Sequence, residues 1–261
     1  MQQALIGHTG FVGSNLRAQS AFDAGFNSSN IGDIRGRHFD RIVCAGVSAV
    51  KWWANQNPEQ DLAGIERLMA ELGHVEADLF TLISTVDVYG RPIGVSEDAL
   101  PERQGLHPYG LHRLQLEDFV AARFPNHRIV RLPALFGTGL KKNAIYDLIH
   151  QNRTEAINPD GRFQWYPLDR LSADLALVEQ SDIPLVNFAT EPVSMEDIRA
   201  RFFPGASLGP AAPGAGLYDF RTLHAALFGG AGGYILDRPA VFSALERFLH
   251  AEISRTQGQP A

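Results

Sequence analysis

The sequence predicts an α/β fold: a doubly wound parallel sheet, Rossmann-like, with a small C-terminal substrate-side lobe. Short apolar runs alternate with amphipathic stretches, and three glycines follow the first apolar run directly. Continuous apolar strands with helices between them are typical of a parallel sheet covered on both faces. The length of 261 residues suffices for one large α/β domain with a small addition.

The elements are predicted in alternating order along the chain. Strands are expected at residues 4–6, 41–44, 79–84, 129–132 and 185–188, with a weaker one around 26–28. Helices are expected at residues 10–24, 58–72, 108–124, 140–152 and 238–253. We expect a loop over 30–39, irregular structure after Met195 and a frayed polar tail from Ser254. We assign residues 1–137, with a return segment at about 166–190, to the main domain, and residues 138–165 and 191–261 to the lobe.

Composition excludes several classes of function. The net charge is −6 and the basic residues are scattered, which argues against a nucleic-acid partner. No apolar run of about 18 residues and no signal peptide are present, so no membrane partner is expected. The single cysteine, Cys44, lies in an apolar run and is predicted to be a core residue rather than a nucleophile. We therefore expect a cytoplasmic protein that acts on a small molecule.

The glycines Gly7, Gly10 and Gly13 form a candidate dinucleotide-binding loop. Gly7 would permit the turn from strand to helix, Gly10 would let the backbone approach a pyrophosphate, and Gly13 would let the helix pack closely on the strand. The helix N-terminus would supply N–H groups to the phosphates. The spacing differs from G-x-G-x-x-G, so the loop needs support from other motifs.

Three further side chains predict the chemistry. Thr85 directly follows the strand predicted at 79–84, while Tyr109 and Arg113 share one face of the helix at 108–124. Ligands of open α/β sheets bind outside the carboxyl ends of the strands, where these groups would meet. Tyr109 would exchange a proton with a substrate hydroxyl, Thr85 would hold the substrate oxygen, and Arg113 would lower the phenol pKa. Such a set suits hydride transfer with a nicotinamide.

With these motifs the chain resembles the extended short-chain dehydrogenase/reductases, the family of NAD(P)-dependent epimerases, dehydratases and reductases of nucleotide sugars. The resemblance runs from Gly7 to about Asn187 and rests on GHTGFVG at 7–13, ST at 84–85 with VYG at 88–90, YGLHR at 109–113, RLPALFG at 131–137 and YPLD at 166–169. It implies that Thr85 and Tyr109 face the substrate and that Pro133 and Leu135 lie against the nicotinamide. The remaining residues that it assigns to the cofactor are Gly7, Thr9, Gly10, Phe11, Val12, Gly13, Ala45 and Gly46. It also implies a homodimer through the helices of Glu59 and Tyr109.

Two positions depart from the family pattern. Arg113 stands where the family carries lysine, and Asp61 stands where it carries asparagine. Arginine keeps the charge and can bind ribose hydroxyls, but it cannot relay a proton. We expect an altered enzyme, and the alternative is a non-catalytic NAD(P)-binding sensor with a degenerate site. Glu117 is expected to pair with Arg113.

The end of the second strand decides between NADP and NAD. Ser28 and Ser29 stand where an acidic residue would bind the ribose of NAD, with Asp33 slightly later and Arg35 and Arg37 nearby. Hydroxyls with arginines suit a 2′-phosphate, so NADP is preferred.

Two other segments leave alternatives open. Asp87 stands where dehydratase members carry a glutamate base, although a solvated or capping role is the simpler interpretation. The loop of Lys51, Trp52 and Trp53 would contact the substrate or pack as an aromatic pair. The predicted function is that of an NAD(P)-dependent oxidoreductase or epimerase acting on a hydroxyl or keto group of a sugar-like substrate, free or nucleotide-linked.

Overall fold

The computed structural model describes residues 1–257, and these residues form two compact units. Unit 1 comprises Met1–Gly90, Glu97–Leu132 and Asp169–Asn187. Unit 2 comprises Arg91–Ser96, Pro133–Leu168 and the chain from Phe188 onward. Each unit has its own hydrophobic core.

A six-stranded parallel sheet forms the centre of unit 1. Its strands are β1 (Gln3–Ile6), β2 (Ala24–Phe26), β3 (His38–Cys44), β4 (Glu76–Thr85), β5 (His127–Leu132) and β9 (Leu185–Asn187). The order across the sheet is β2-β1-β3-β4-β5-β9. The chain leaves β1 for β2 on one side and then crosses to β3 on the other. The carboxyl ends of β1 and β3 therefore form a topological switch point, where open α/β sheets bind ligands.

Helices cover both faces of this sheet. α1 (Phe11–Gln19) packs with α6 (Leu171–Glu179), while α2 (Lys51–Gln56), α3 (Pro58–Leu72) and α4 (Pro108–Arg123) pack together. The apolar residues of α3 and α4 share a core with the strands, and in this core the rings of Phe80 and Phe124 stack 4.1 Å apart. The predicted doubly wound α/β sheet is thus confirmed.

Unit 2 is built from shorter elements. Its strands are β6 (Ala134–Phe136), β7 (Arg162–Phe163), β8 (Trp165–Pro167) and β10 (Val193–Ser194), and its helices are α5 (Ala144–His150), α7 (Met195–Phe202) and α8 (Arg238–Gln257). β6 pairs with β8 in parallel, and β10 pairs with β7 antiparallel. The core contains Trp165, Ile198 and the α8 residues Val241 and Leu245.

The element boundaries differ from the sequence prediction in several places. Helix α1 ends at Gln19 rather than at 24, β2 lies about two residues earlier than expected, and a 3-10 turn at Ile31–Ile34 occupies the predicted loop. Where irregular structure was expected after Met195, helix α7 begins, because Ser194 caps it by accepting a hydrogen bond from the Asp197 N–H. Helix α8 continues through Gln257, so the first part of the predicted frayed tail is helical, and 258–261 lie outside the described residues. Within the described part of the chain, no helix combines the length and apolar character needed to cross a bilayer.

Candidate functional site

The glycine loop joins β1 to α1 as a tightly packed turn. Gly7 has φ +83°, and a Cβ there would lie 2.2 Å from the Ala45 carbonyl oxygen. A Cβ on Gly13 would lie 2.1 Å from the Gly7 carbonyl oxygen, so helix α1 can approach β1 only because this residue is glycine. The turn and close-packing roles predicted for these two glycines match this geometry.

Gly10 has a different environment. It is exposed, with extended backbone, and a Cβ there would meet only the Gly7 oxygen at 3.3 Å. It is the N-cap of α1 without any side-chain capping bond, and no acidic residue lies in the first turn. Thr9 is also exposed, while Phe11 and Val12 are half-buried. The first-turn N–H groups of α1 are therefore suited to bind an anion.

Ala45 and Gly46 follow β3 and form the opposite side of the switch point. The Ala45 N–H donates to the Ile6 carbonyl at 2.9 Å, which joins the end of β3 to the end of β1. A Cβ on Gly46 would lie 2.8 Å from the Cγ2 atom of Ile6. The structure thus brings these two residues next to the glycine loop.

The residues after β2 form a small polar turn. The Asn27 Oδ1 accepts hydrogen bonds from the N–H and the hydroxyl of Ser29, at 2.9 and 2.6 Å. The two arginines expected nearby do not belong to this turn. Arg35 donates to Glu71 at 2.8 Å, and the Arg37 guanidinium lies 4.7 Å from the Phe39 ring centroid.

Both arginines precede His38, the first residue of β3. Their backbones therefore lie at the amino end of that strand. Arg35 is thus held by Glu71, but the Arg37 guanidinium also lies 5.5 Å from the ring centroid of Phe26, the residue that ends β2 directly before the turn of Ser28 and Ser29.

Thr85 and Tyr109 meet at the carboxyl edge of the sheet. Thr85 is the last residue of β4 and Tyr109 is the second residue of α4, and the Thr85 hydroxyl lies close enough to the phenol to lower its pKa. Both residues are more than 90% buried, at 9% and 7% exposure. The Thr85 Oγ1 also accepts a hydrogen bond from the Asp87 N–H at 3.2 Å. The two predicted catalytic hydroxyls therefore share one small space.

Three residues that sequence reasoning missed hold Tyr109 in this position. The Asn55 Oδ1 accepts a hydrogen bond from the Tyr109 N–H at 3.0 Å. The His107 Nδ1 accepts one from the Gly110 N–H at 3.0 Å and so caps α4. A Cβ on Gly110 would lie 2.2 Å from the Asp87 carbonyl oxygen, so this glycine lets α4 approach the end of β4. The segment His107–Pro108 was the available signal, because proline favours the first turn of a helix.

The Arg113 guanidinium lies over the ring of Tyr109. Its guanidinium carbon is 3.9 Å from the centroid of the phenol ring. The side chain is 4% exposed and makes a bidentate ion pair with Asp61, in which Nη2 donates to Oδ1 at 2.9 Å. The Asp61 Oδ2 also lies 2.7 Å from the Nδ1 of His112. Both departures from the family pattern thus form one buried charged cluster.

The expected pairing of Glu117 with Arg113 is wrong. The Glu117 carboxylate instead accepts bidentate hydrogen bonds from Arg131 of β5, at 3.0 and 2.6 Å, and one from the Ser84 hydroxyl. The adjacent strand β5 thus supplies the cation for Glu117, and the preceding turn of its own helix does not. Asp61 takes the place that was expected for Glu117 beside Arg113.

The electrostatics of Tyr109 differ from the simple prediction. Burial raises the pKa of the phenol, and Asp87 and Asp61 raise it further, whereas Arg113 and the hydrogen bond from Thr85 lower it. Arg113 therefore acts in the predicted direction, but the pKa stays above its ordinary value because burial dominates. The phenol is neutral at pH 7.

Asp87 and Lys51 form an ion pair close to the hydroxyls of Thr85 and Tyr109. The Lys51 Nζ lies 2.7 Å from the Asp87 Oδ1. Lys51 and Trp53 belong to helix α2 rather than to the predicted loop, and Trp52 on the same helix is 62% exposed. Burial, reinforced by the Lys51 charge, lowers the pKa of His107, in keeping with a neutral ring whose Nδ1 accepts a hydrogen bond.

Pro133 and Leu135 belong to unit 2, on the segment that follows β5 directly. The Leu135 carbonyl accepts a hydrogen bond from the Nδ2 of Asn143 at 2.9 Å, and Asn143 itself has φ 125°.

Cys44 is fully buried at the end of β3, where burial raises the pKa of its thiol to about 11. This agrees with the predicted core role. Among the residues that the structure describes, no cluster of histidine, cysteine and carboxylate side chains could hold a metal ion.

No family model and no curated protein matches the sequence. Solved structures do. One is dTDP-4-dehydrorhamnose reductase from Bacillus anthracis in complex with NADP, with a TM-score of 0.73 and 18% identity, covering 96% of this chain and 100% of that one. Another is UDP-glucuronic acid 4-epimerase from Bacillus cereus in complex with UDP-glucuronic acid and NAD, with a TM-score of 0.72 and 18% identity, covering 96% and 98%. A third is an NAD-dependent NDP-hexosamine 5,6-dehydratase of tunicamycin biosynthesis, with a TM-score of 0.73 and 18% identity, covering 97% and 98%.

These structures are members of the family that the motifs at Gly7, Thr85 and Tyr109 resemble. Their likeness extends over almost the whole chain. The protein therefore has the fold of the extended short-chain dehydrogenase/reductases.

Proposed function

We propose that this protein is an NAD(P)-dependent oxidoreductase or epimerase that acts by hydride transfer on a hydroxyl or keto group of a sugar-like substrate, free or nucleotide-linked. The neighbouring hydroxyls of Thr85 and Tyr109, with the Arg113 guanidinium over the phenol ring, carry this proposal. The pair lies at the same edge of the sheet as the glycine loop. The similar structures, a reductase, an epimerase and a dehydratase of sugar nucleotides, support it.

The residues at the switch point fit a dinucleotide. Gly7 and Gly13 leave no room for side chains, while exposed Gly10 leaves the N-terminus of α1 accessible to a pyrophosphate. We assign the pyrophosphate to the loop Gly7–Gly13 with Thr9, Phe11 and Val12, and the adenosine side to Ala45 and Gly46. Ser28 and Ser29 would bind its ribose, and Pro133 and Leu135 would lie against the nicotinamide. When bound, the dinucleotide supplies or accepts the hydride.

The chain's own side chains handle the proton. The Tyr109 hydroxyl is neutral at pH 7 and can donate to a substrate carbonyl oxygen that becomes an alcohol. In the opposite direction, a phenolate takes the proton from the alcohol. Thr85 donates a hydrogen bond to the same substrate oxygen and orients it. The Arg113 charge beside the ring stabilises the phenolate.

NADP remains the preferred cofactor in this proposal, because Ser28 and Ser29 stand in place of a carboxylate and the Arg37 guanidinium lies 5.5 Å from the ring centroid of the adjacent Phe26. A hydroxyl pair accepts either a ribose diol or a 2′-phosphate, whereas a carboxylate would repel the phosphate. Titration of the protein with NADPH and with NADH, followed by nicotinamide fluorescence, tests this preference. Much tighter binding of NADH would show that Asp33 reaches the ribose and that the preference is wrong.

The assembly and location of the protein are also proposals. We propose a homodimer through α3 and α4, as the resemblance to the family implies. Light scattering coupled to size-exclusion chromatography gives the mass in solution directly. A buried, single cysteine is compatible with the reducing cytoplasm.

Tyr109→Phe tests the proposed function. We first identify the substrate class by mass spectrometry of metabolites that copurify with the protein, and then measure turnover. The variant should bind NAD(P)H as the wild type does and lose turnover by at least about 100-fold, because it lacks the proton-exchanging group. Full turnover by the variant would remove Tyr109 from its assigned role. A wild-type protein that binds cofactor but turns over no candidate substrate would instead support the sensor.

A further inference from the structure

Arg113 and Asp61 depart together from the pattern that the chain otherwise resembles, and the structure places them in direct contact. Their side chains are 4% and 3% exposed and form a bidentate ion pair between α4 and α3. An ion pair that is removed from water in this way stabilises a protein only if each partner has its hydrogen bonds satisfied. The hydrogen-bond partners of Arg113 therefore show what the pair does.

Almost all the donors of Arg113 are occupied by this chain. A guanidinium carries five N–H groups. Four of them are accounted for: Nη1 donates to the Asp61 Oδ2 and the Tyr109 carbonyl, and Nη2 donates to the Asp61 Oδ1 and the Ser48 carbonyl. The remaining Nε is buried and has no hydrogen-bond partner in the part of the chain that the structure describes. One unsatisfied donor is thus left next to the Tyr109 ring.

The location of Asp61 explains the orientation of the guanidinium. The carboxylate holds both terminal nitrogens from α3, and the Ser48 carbonyl holds Nη2 from the loop before α2. The His112 ring binds the same Oδ2 and so orients the carboxylate in turn. This arrangement holds the guanidinium over the phenol ring, with its carbon 3.9 Å from the ring centroid, where arginine and aromatic rings attract one another.

We propose that Asp61 is a positioning residue of the site. Its carboxylate holds Arg113 against Tyr109. Arginine thus takes the position of the family's lysine, and only its Nε–H group is left to donate a hydrogen bond to a ligand hydroxyl. Asp61 and Arg113 form a matched pair, so Asp61→Asn alone or Arg113→Lys alone impairs the site. This inference rests on the proposed function for the ligand, but the position of Arg113 can be tested without any substrate.

Crystal structures of Asp61→Asn and of Glu179→Gln provide the direct test. Glu179 is the matched control, because it too is a largely buried carboxylate that accepts from an arginine, Arg41, but at the amino end of the sheet. In Asp61→Asn the distance from the guanidinium carbon to the phenol ring centroid should exceed about 6 Å, the limit of such contacts. In Glu179→Gln it should stay at 3.9 Å. A guanidinium that remains on the ring in Asp61→Asn overturns the proposal.

Turnover of Asp61→Asn, Arg113→Lys and the double variant provides the second test. Each single change should lower turnover at least about tenfold, and the double variant should recover to within about threefold of the wild type, since residues in direct contact are energetically coupled. A purely structural pair would restore the melting temperature in the double variant without restoring turnover, and that result would overturn the proposal.

The double variant also covers the case in which Asp61→Asn fails to fold, because asparagine and lysine leave no carboxylate–guanidinium pair to break. A folded and active double variant supports the matched pair, and an inactive one contradicts it. If the wild type shows no turnover with any substrate, the proposed function fails while the crystal structures still decide the position of Arg113.

Discussion

At the scale of single residues, the site is organised around one buried phenol. Tyr109 contacts Thr85 through its hydroxyl and Arg113 through its ring. The nearest cation is itself neutralised by Asp61, and Asp87 adds a further negative charge nearby. Burial is the main cause of the raised pKa of this phenol, and together with these charges it makes Tyr109 keep its proton more firmly than an exposed tyrosine. At neutral pH the Tyr109 hydroxyl is therefore in the protonated form that donates to a substrate, and little phenolate is present to accept a proton.

The raised pKa of Tyr109 predicts opposite pH profiles in the two directions of reaction. Reduction needs the neutral phenol, so turnover should stay level through neutral pH and fall only above the ordinary tyrosine value of about 10. Oxidation needs the phenolate, so turnover should rise up to about tenfold per pH unit through pH 9. Steady-state rates from pH 6 to 10 in both directions check this. An oxidative rate that levels off near pH 7 would contradict the raised pKa, and Tyr109→Phe should lack the rise.

Thr85 can be compared with another threonine of the same strand. Thr85→Val should lower turnover by about 100-fold while the melting temperature changes little, because the hydroxyl that orients the substrate is lost. Thr81→Val is the matched control, since Thr81 is also buried on β4 but donates to Glu179 at 2.7 Å, away from the carboxyl edge. It should lower stability and leave turnover unchanged. Equal losses of turnover in the two variants would remove the assigned role of Thr85.

At the scale of elements, the site depends on how closely helices approach strand ends. Helix α1 approaches β1 through Gly13, and α4 approaches the end of β4 through Gly110. In both cases a Cβ would lie near 2 Å from a backbone carbonyl oxygen, at 2.1 and 2.2 Å. Glycine is required there by packing, so the helices bring their N-terminal turns to the ligand-binding edge.

Two alanine substitutions separate packing from binding in the glycine loop. Gly13→Ala should destabilise the protein by about 3 kcal/mol, the upper end of the usual cost of overpacking, because its Cβ has no space beside the Gly7 carbonyl. Gly10→Ala should fold with nearly the wild-type melting temperature, since its Cβ needs a shift of only a few tenths of an ångström, but it should bind NAD(P)H at least about tenfold more weakly. Calorimetry and fluorescence titration measure the two effects. Wild-type affinity in Gly10→Ala would exclude the loop as the pyrophosphate site.

At the scale of the whole molecule, cofactor binding should appear as added stability. A ligand that binds only the folded state stabilises it by about 2.7 kcal/mol at 100 times its dissociation constant. NADPH and NADH should therefore raise the melting temperature of the wild type and of Tyr109→Phe alike, while Gly10→Ala should show a much smaller rise at the same concentration. A wild-type melting temperature that does not respond to either dinucleotide would contradict cofactor binding altogether.

The sequence by itself determined the doubly wound sheet and the order of its motifs. Apolar runs and glycine turns are local signals, and they placed α3, the glycine loop, Thr85 and Tyr109 correctly along the chain. The partners of the charged residues could not be predicted in the same way. Glu117 binds Arg131 of a neighbouring strand, and Arg35 and Arg37 lie at the amino end of β3.

Only the tertiary structure decided which charges meet. Asp61 lies 52 positions before Arg113, yet they form the buried pair that orients the guanidinium on Tyr109. Sequence spacing predicts neighbours within one helix or strand, whereas α3 and α4 are brought together by packing on the same face of the sheet. The sequence therefore identified Arg113 and Asp61 as two separate departures from a family pattern, and the packing of their helices made them one charged cluster.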